Sequence, residues 1–216
     1  MINISKIKRQ VKKELVTLKN DIIILIDTRE KKTTQQLYTE IFYKVGIKSE
    51  IIKLDTGDYS FIYKGEDFSF KFSIDRKRNV SELVGNFMEE RFKRELTRGK
   101  DFEYFSFCVE LGRLSDFYDG CYISDMKKKS AIGILETMKN DYQVDFIEGM
   151  EFTTYLLTKI YYYLRSHLIK KEILKYKDWQ AINLYDIINM SRLSLRYSYF
   201  LFYKYGFTNN KKTLIY

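Results

Sequence analysis

A chain of 216 residues, 45% apolar and 31% charged, has the composition of one large soluble globular domain, and its 19 Tyr and 16 Phe argue against disorder. Two cysteines and no proline exclude a disulfide scaffold and long proline-rich linkers, and point to a reducing cytoplasm. The formal charge of +9 favours polyanionic partners, and no stretch is both long and apolar enough to span a bilayer.

Residues 1–20 form a basic amphipathic segment with six Lys/Arg against one acid, and no signal-peptide cleavage site follows. Residues 165–216 carry ten Lys/Arg against three acids, so basic ends flank a mildly acidic centre. That placement suits a polyanion held around a site built on carboxylates, or simply well-solvated ends.

Residues 21–28, DIIILIDT, read as a buried strand ending at Asp27. Residues 33–45 place Leu37, Ile41 and Val45 at helical spacing, with Gly46 closing the helix. A second strand, 47–54, leads to the turn DTGDY at 55–59, which carries Asp58. Segments 59–63 and 67–75, separated by KGED, read as a hairpin. A helix over 80–98 follows, with Leu83, Phe87, Phe92 and Leu96 as its inner stripe. Asn79 and Glu82 form its capping box, and Gly99 stops it. A strand at 103–110 ends on Glu110. Beyond it come a helix near 127–139, a strand at 143–147 and a helix at 150–171. This alternation describes an α/β fold, a central mixed β-sheet flanked by helices, with a helical aromatic extension over 172–216.

Three acids, Asp27, Asp58 and Asp75, fall at strand ends or turns of this unit. Asp75 and Lys77, two residues apart in SIDRK, project from the same face of an extended chain. Clustered carboxylates do not all remain ionised without a cation, and oxygen-only ligands suit Mg2+. Such an ion activates water and offsets charge on a phosphate, and a neighbouring ammonium orients that water. A lone Asp-x-Lys is more often a surface pair of small energetic weight. The functional reading therefore rests on the order of strand, turn, hairpin and helix. His167 stands alone, so no zinc site or histidine triad can be assembled, and it reads as structural. Cys108 reads as core. Arg192 and Arg196, interleaved with tyrosines, could line a nucleic-acid groove, while Leu193, Tyr197, Phe200 and Leu201 form a packing stripe.

LIDTRE (25–30), TGDYSF (56–61), SIDRK (73–77) and the helix with ERFKREL (90–96) together resemble the nuclease domain of the XPF family. Those are structure-specific endonucleases of the PD-(D/E)xK superfamily with a restriction-endonuclease-like core. The resemblance covers roughly residues 21–165 and implies a nuclease domain over 21–171. The segment 1–20 lies before that domain and the extension 172–216 after it. It implies Asp58 and Asp75 as the principal metal ligands and Asp27 as a further metal-site acid, near the metal or in its outer shell, with Mn2+ able to replace Mg2+. Lys77 would be the water-positioning base, and the Arg76 carbonyl would assist the ligands. Arg29 and Glu30 would complete the first motif as supporting residues, Arg29 contacting phosphate or bracing the carboxylates, and Arg91 would reach the DNA backbone. A homodimer acting on branched or single-strand/duplex-junction DNA in replication, repair or recombination follows from the same likeness. Asp75 replaces the family's Glu, Glu90 replaces the Gly before the helix arginine, and Glu82 sits one place beyond the usual acid. The paired helix-hairpin-helix modules of the family have no counterpart in 171–216, so a separate targeting protein is a further expectation. Two other readings stay open: a catalytically inactive nuclease-like binding module, and a duplex or mismatch-type nuclease. The Lys-, Ile-, Asn- and Tyr-rich composition fits an AT-rich bacterial, phage or mobile-element genome, and a cytoplasmic setting in a bacterial or phage-infected cell.

Overall fold

The structure is a computed structural model that describes residues 3–149 and 151–174. These fall into two units, one spanning Thr17–Ile160, the other combining the described residues before Thr17 with those from Tyr161 onward. The expected groove arginines Arg192 and Arg196 lie outside the described residues, as does all but the start of the extension 172–216.

In the end unit, α1 (Ile4–Glu14) is capped by the Asn3 side chain, which accepts from the Lys6 amide at 2.9 Å. It buries Ile7 and Val11 and leaves Lys6, Arg9, Lys12 and Lys13 exposed, the amphipathic pattern read from the sequence. Tyr163, Leu164, Ile169 and Ile173 are buried, and Tyr163 stacks on His167 with ring centroids 6.1 Å apart.

The larger unit is built on a seven-stranded mixed sheet. A 3₁₀ turn, Leu15–Thr17, and a short helix, α2 (Leu18–Asp21), lead into it. Strand β1 (Ile22–Asp27) buries Ile24, Leu25 and Ile26 completely, as a central strand covered on both faces must. Helix α3 (Lys32–Lys44) returns the chain so that β2 (Lys48–Ile52) pairs parallel with β1. The inner face of α3 differs from the sequence expectation. Tyr38 and Phe42 are buried while Leu37 and Val45 are exposed and Ile41 is only partly covered. Two aromatics four residues apart bury more area than the aliphatic set beside them, and they win the core-facing side.

Strand β3 (Tyr59–Tyr63) runs antiparallel on the other side of β1. Lys64 and Gly65 both have positive φ (49° and 80°), giving the two-residue turn whose twist suits a hairpin, and β4 (Glu66–Asp67) pairs back onto β3. The return strand expected over 67–75 is broken here. The Asp67 carboxylate accepts from the Ser69 amide at 2.7 Å, and the Phe72 amide donates to the Phe68 carbonyl, so one turn brings Phe68 and Phe72 onto the same Phe61 ring. Strand β5 (Phe72–Asn79) then pairs antiparallel with β3 only at Tyr59–Ile74 and parallel with β6 (Tyr104–Leu111) along its length.

The helix expected over 80–98 is two, α4 (Val80–Asn86) and α5 (Glu90–Gly99). Leu83 to Phe87 and Phe92 to Leu96 are each four apart, but Phe87 to Phe92 is five, and a break lets both pairs reach one core. Asn79 caps α4 through the Glu82 amide, yet Glu82 bonds the Arg78 amide rather than completing the box at Asn79. Helices α6 (Leu114–Asp119) and α7 (Lys128–Asp141) close this core over Phe107, Phe117 and Leu135. α6 was not anticipated. Strand β7 (Gln143–Phe146) completes the sheet order β2-β1-β3-β5-β6-β7, and α8 (Phe152–Leu174) follows. None of the described helices is long and apolar enough to cross a membrane.

The joint between β3 and β5 positions the site. The Asp27 amide donates to the Asp58 carbonyl and the Asp58 amide to the Ile74 carbonyl, both at 2.9 Å. Gly57 makes this approach possible: its φ is +71°, and a Cβ there would lie 2.2 Å from the Ser73 hydroxyl oxygen. Gly57→Ala should therefore lower stability by about 1–3 kcal/mol through backbone strain. Urea unfolding at constant m value is the measurement.

Candidate active site

Extended geometry sends Asp75 and Lys77 to one face of β5 and Arg76 to the other. Both members of the first pair are buried, 1% and 4% exposed, and Lys77 Nζ lies 2.5 Å from Asp75 Oδ1. The Lys77 ammonium also sits over the Phe92 ring of α5, 5.6 Å from its centroid. Asp58 arrives from the turn before β3. Its Oδ2 accepts the Arg76 amide at 2.8 Å, so a side chain takes up a β5 donor just beyond the single Tyr59–Ile74 pair. Asp58, Asp75 and Lys77 line one open cavity of about 520 Å³ together with Glu30, Arg76, Arg91, Glu95 and other residues.

Arg76 faces the far wall. Its guanidinium pairs with Glu110 through Nε at 2.9 Å and Nη2 at 2.5 Å, reaches Glu30 at 3.3 Å, and lies over the rings of Tyr38 and Phe152. The Tyr38 hydroxyl donates to the other oxygen of Glu110 at 2.6 Å. This planar cation held between two acids and two rings is a braced wall.

Asp27 sits apart from the cavity. Its carboxylate is fully buried and saturated: Oδ1 accepts the Arg29 amide and Nε at 2.6 and 2.7 Å, and Oδ2 accepts the Leu54 amide and Arg29 Nη2 at 2.6 and 2.9 Å. Arg29 Nη2 also donates to the Leu54 carbonyl at 2.7 Å. Asp27 thus ties β1 to the segment after β2, while Arg29, half exposed, and Glu30 reach the cavity wall. Arg91 is exposed at the cavity mouth and pairs loosely with Glu89 at 3.7 Å.

Glu95 was missed by sequence reading. It is 8% exposed, accepts the Gly57 amide at 3.2 Å and shares a hydrogen bond with Asp75. The signal was present: Glu95 lies three residues after buried Phe92, on the inward face of a helix otherwise rich in charge, where an acid needs partners.

The electrostatics follow from crowding. Burial, then the charge of Asp75, raises the Asp58 carboxyl well above its usual range against the opposing pull of Lys77. Burial and the Asp75 charge push Glu95 up to about 7. Burial acts to lower the Lys77 ammonium, but Asp75, Asp58 and Glu95 outweigh it and hold the proton more tightly than usual. Among the described residues no three His, Cys, Asp or Glu side chains are gathered at metal-holding distance. Two oxygen ligands with waters suffice for Mg2+, and Asp75 Oδ1, buried with an ion-pair contact but no oriented hydrogen bond, has the chemistry such an ion selects.

The sequence matches the family model described as ERCC4 domain over residues 26–158. Among curated proteins none matches. Similar solved structures include XPF from Aeropyrum pernix, 16% identical with a TM-score of 0.41, covering 58% of this chain and 52% of that one. Another is XPF from Aeropyrum pernix in complex with DNA, 17% identical with a TM-score of 0.44, covering 85% of this chain and 82% of that one. The chain spans about half the length of the first of these.

The raised carboxyls set a pH dependence. Between the ordinary Glu value of 4.5 and about 7, Glu95 keeps its proton in the folded chain and loses it in the unfolded chain. Stability in EDTA should therefore fall as pH rises through that window, with Asp58 acting in the same direction. Urea unfolding from pH 4.5 to 8 should show this decline, and Glu95→Gln should flatten it.

Proposed function

We propose, from the premise that this chain belongs to the ERCC4 domain family, that it is a divalent-cation-dependent DNA endonuclease acting on branched or single-strand/duplex-junction DNA. The observation that carries the reading is the meeting of Asp58, Asp75 and Lys77 at one open cavity, from three positions that the motif resemblance had singled out. Family membership supports the coarse activity; the cation and the DNA geometry are our reading.

Asp58 and Asp75 would hold Mg2+, or Mn2+ in its place, with the Arg76 carbonyl as a third oxygen. The ion would supply Lewis acidity and a lowered pKa for an attacking water. Lys77 holds its proton in this environment, so its first role is to balance the carboxylates and to donate a hydrogen bond to a reacting oxygen. Asp27 acts one layer out, keeping Arg29 and the Leu54 backbone in place. Arg29 and Arg91, both with exposed guanidinium surface, would neutralise the phosphates on either side of the cleaved bond. Glu30 and Glu110 clamp Arg76 and so keep the β5 backbone straight where Asp58 meets it. Hydrolysis would leave a 5′-phosphate and a 3′-hydroxyl, and the enzyme would work as a homodimer in the cytoplasm.

The test is cleavage of labelled fork, flap, nicked and intact duplex substrates in Mg2+, with binding measured in EDTA. Asp58→Asn, Asp75→Asn and Lys77→Ala should each slow cutting by at least about a hundredfold while DNA binding persists. Binding should weaken steeply with salt. Tight binding with no cutting in either Mg2+ or Mn2+ would make the chain an inactive binding module, and preference for intact duplex would reassign the substrate.

A further inference from the structure

We infer that Glu95 is a positioning residue of the active site, a carboxyl beside Asp58 and Asp75 that the motif pattern does not contain. The inference rests on the nuclease reading above and adds a residue from a different element. Three segments distant in sequence deliver the reacting groups: the turn with Asp58, the strand with Asp75 and Lys77, and helix α5. Glu95 is the side chain that joins all three. Its Oε1 accepts the Gly57 amide at 3.2 Å, immediately before Asp58. It shares a hydrogen bond with Asp75, and its charge faces Lys77. At 8% exposure it has little water to bond instead, so these contacts define its rotamer and that of its partners.

The Gly57 contact is the informative one. Gly57 carries positive φ and lies too close to Ser73 for any side chain, so the turn has no side chain of its own at that position to hold it. An acceptor from α5 fixes the turn from outside, and with it the direction of the Asp58 carboxylate. Partners one layer out from metal ligands commonly govern affinity in this way.

The experiment compares wild type with Glu95→Gln, Glu95→Ala and Glu95→Asp. It measures Mn2+ affinity by electron paramagnetic resonance, hydrogen exchange at the Gly57 amide, and kcat and KM separately on a fork substrate. Glu95→Gln keeps an acceptor for Gly57 and a hydrogen bond to Asp75, and should stay close to wild type in exchange and Mn2+ affinity. Glu95→Ala should expose the Gly57 amide and weaken Mn2+ binding by about 10- to 100-fold, with the loss in kcat rather than KM. Glu95→Asp, whose shorter arm falls short of Gly57, should behave like the alanine variant and serves if that one does not fold. Normal Mn2+ affinity and Gly57 protection in Glu95→Ala would overturn the inference. A glutamine variant as impaired as alanine would also overturn it, because the charge would then act directly. Absence of Mn2+ binding or cutting by wild type would instead sink the nuclease reading, leaving the Gly57 exchange result to judge the positioning role alone.

Discussion

The buried pair of Asp75 and Lys77 is the constraint around which the rest of the larger unit is organised. An ammonium and a carboxylate inside a core carry a desolvation cost that their mutual attraction offsets only with good geometry and further partners. The strand supplies the geometry, because two residues apart on one β face is within reach of a direct contact. Further partners must come from elsewhere, and they do: Asp58 from the preceding turn, Glu95 from α5, and the ring face of Phe92 against the ammonium. The crowding of these carboxyls in a buried place is what raises Asp58 and Glu95 above their usual range, and it is the electrostatic feature that the fold imposes on the site.

A site of this kind needs stiff supports, since each carboxylate gains by moving away from the next. Two knots provide them. Asp27, Arg29 and Leu54 close one with bonds to every oxygen of the Asp27 carboxylate, so the end of β1 and the start of the Asp58 turn cannot separate. Arg76, Glu110, Glu30 and Tyr38 close the other on the opposite side of β5. The three-residue run Asp75-Arg76-Lys77 therefore works on both faces of one strand. Its outer members face the cavity acids, and its middle member anchors the strand to α3 and to Phe152 at the start of α8.

Much of this was readable in order along the chain. The apolar run before Asp27, the Gly-Asp turn, the alternation through SIDRK and the helix with Arg91 each carry a local signature, and local signatures depend only on near neighbours in sequence. Where the expectations moved, the cause was competition among residues for the same core. Tyr38 and Phe42 displaced Leu37 and Val45 from the inner face of α3. The five-residue spacing from Phe87 to Phe92 divided one expected helix into two. Phe68 and Phe72, sharing the Phe61 ring, broke the hairpin's return strand.

Sequence alone determined the order of elements, the mixed α/β class and the identity of Asp27, Asp58, Asp75 and Lys77 as a group worth bringing together, because period, turn chemistry and motif spacing are properties of short segments. Tertiary structure decided which acids share the cavity. Asp27 was drawn into a saturated knot, and Glu95, with no motif to announce it, was brought against Asp75 by the packing of α5. Those outcomes depend on where helices land on the sheet, a balance of burial and charge summed over residues far apart in the chain, which no short segment contains.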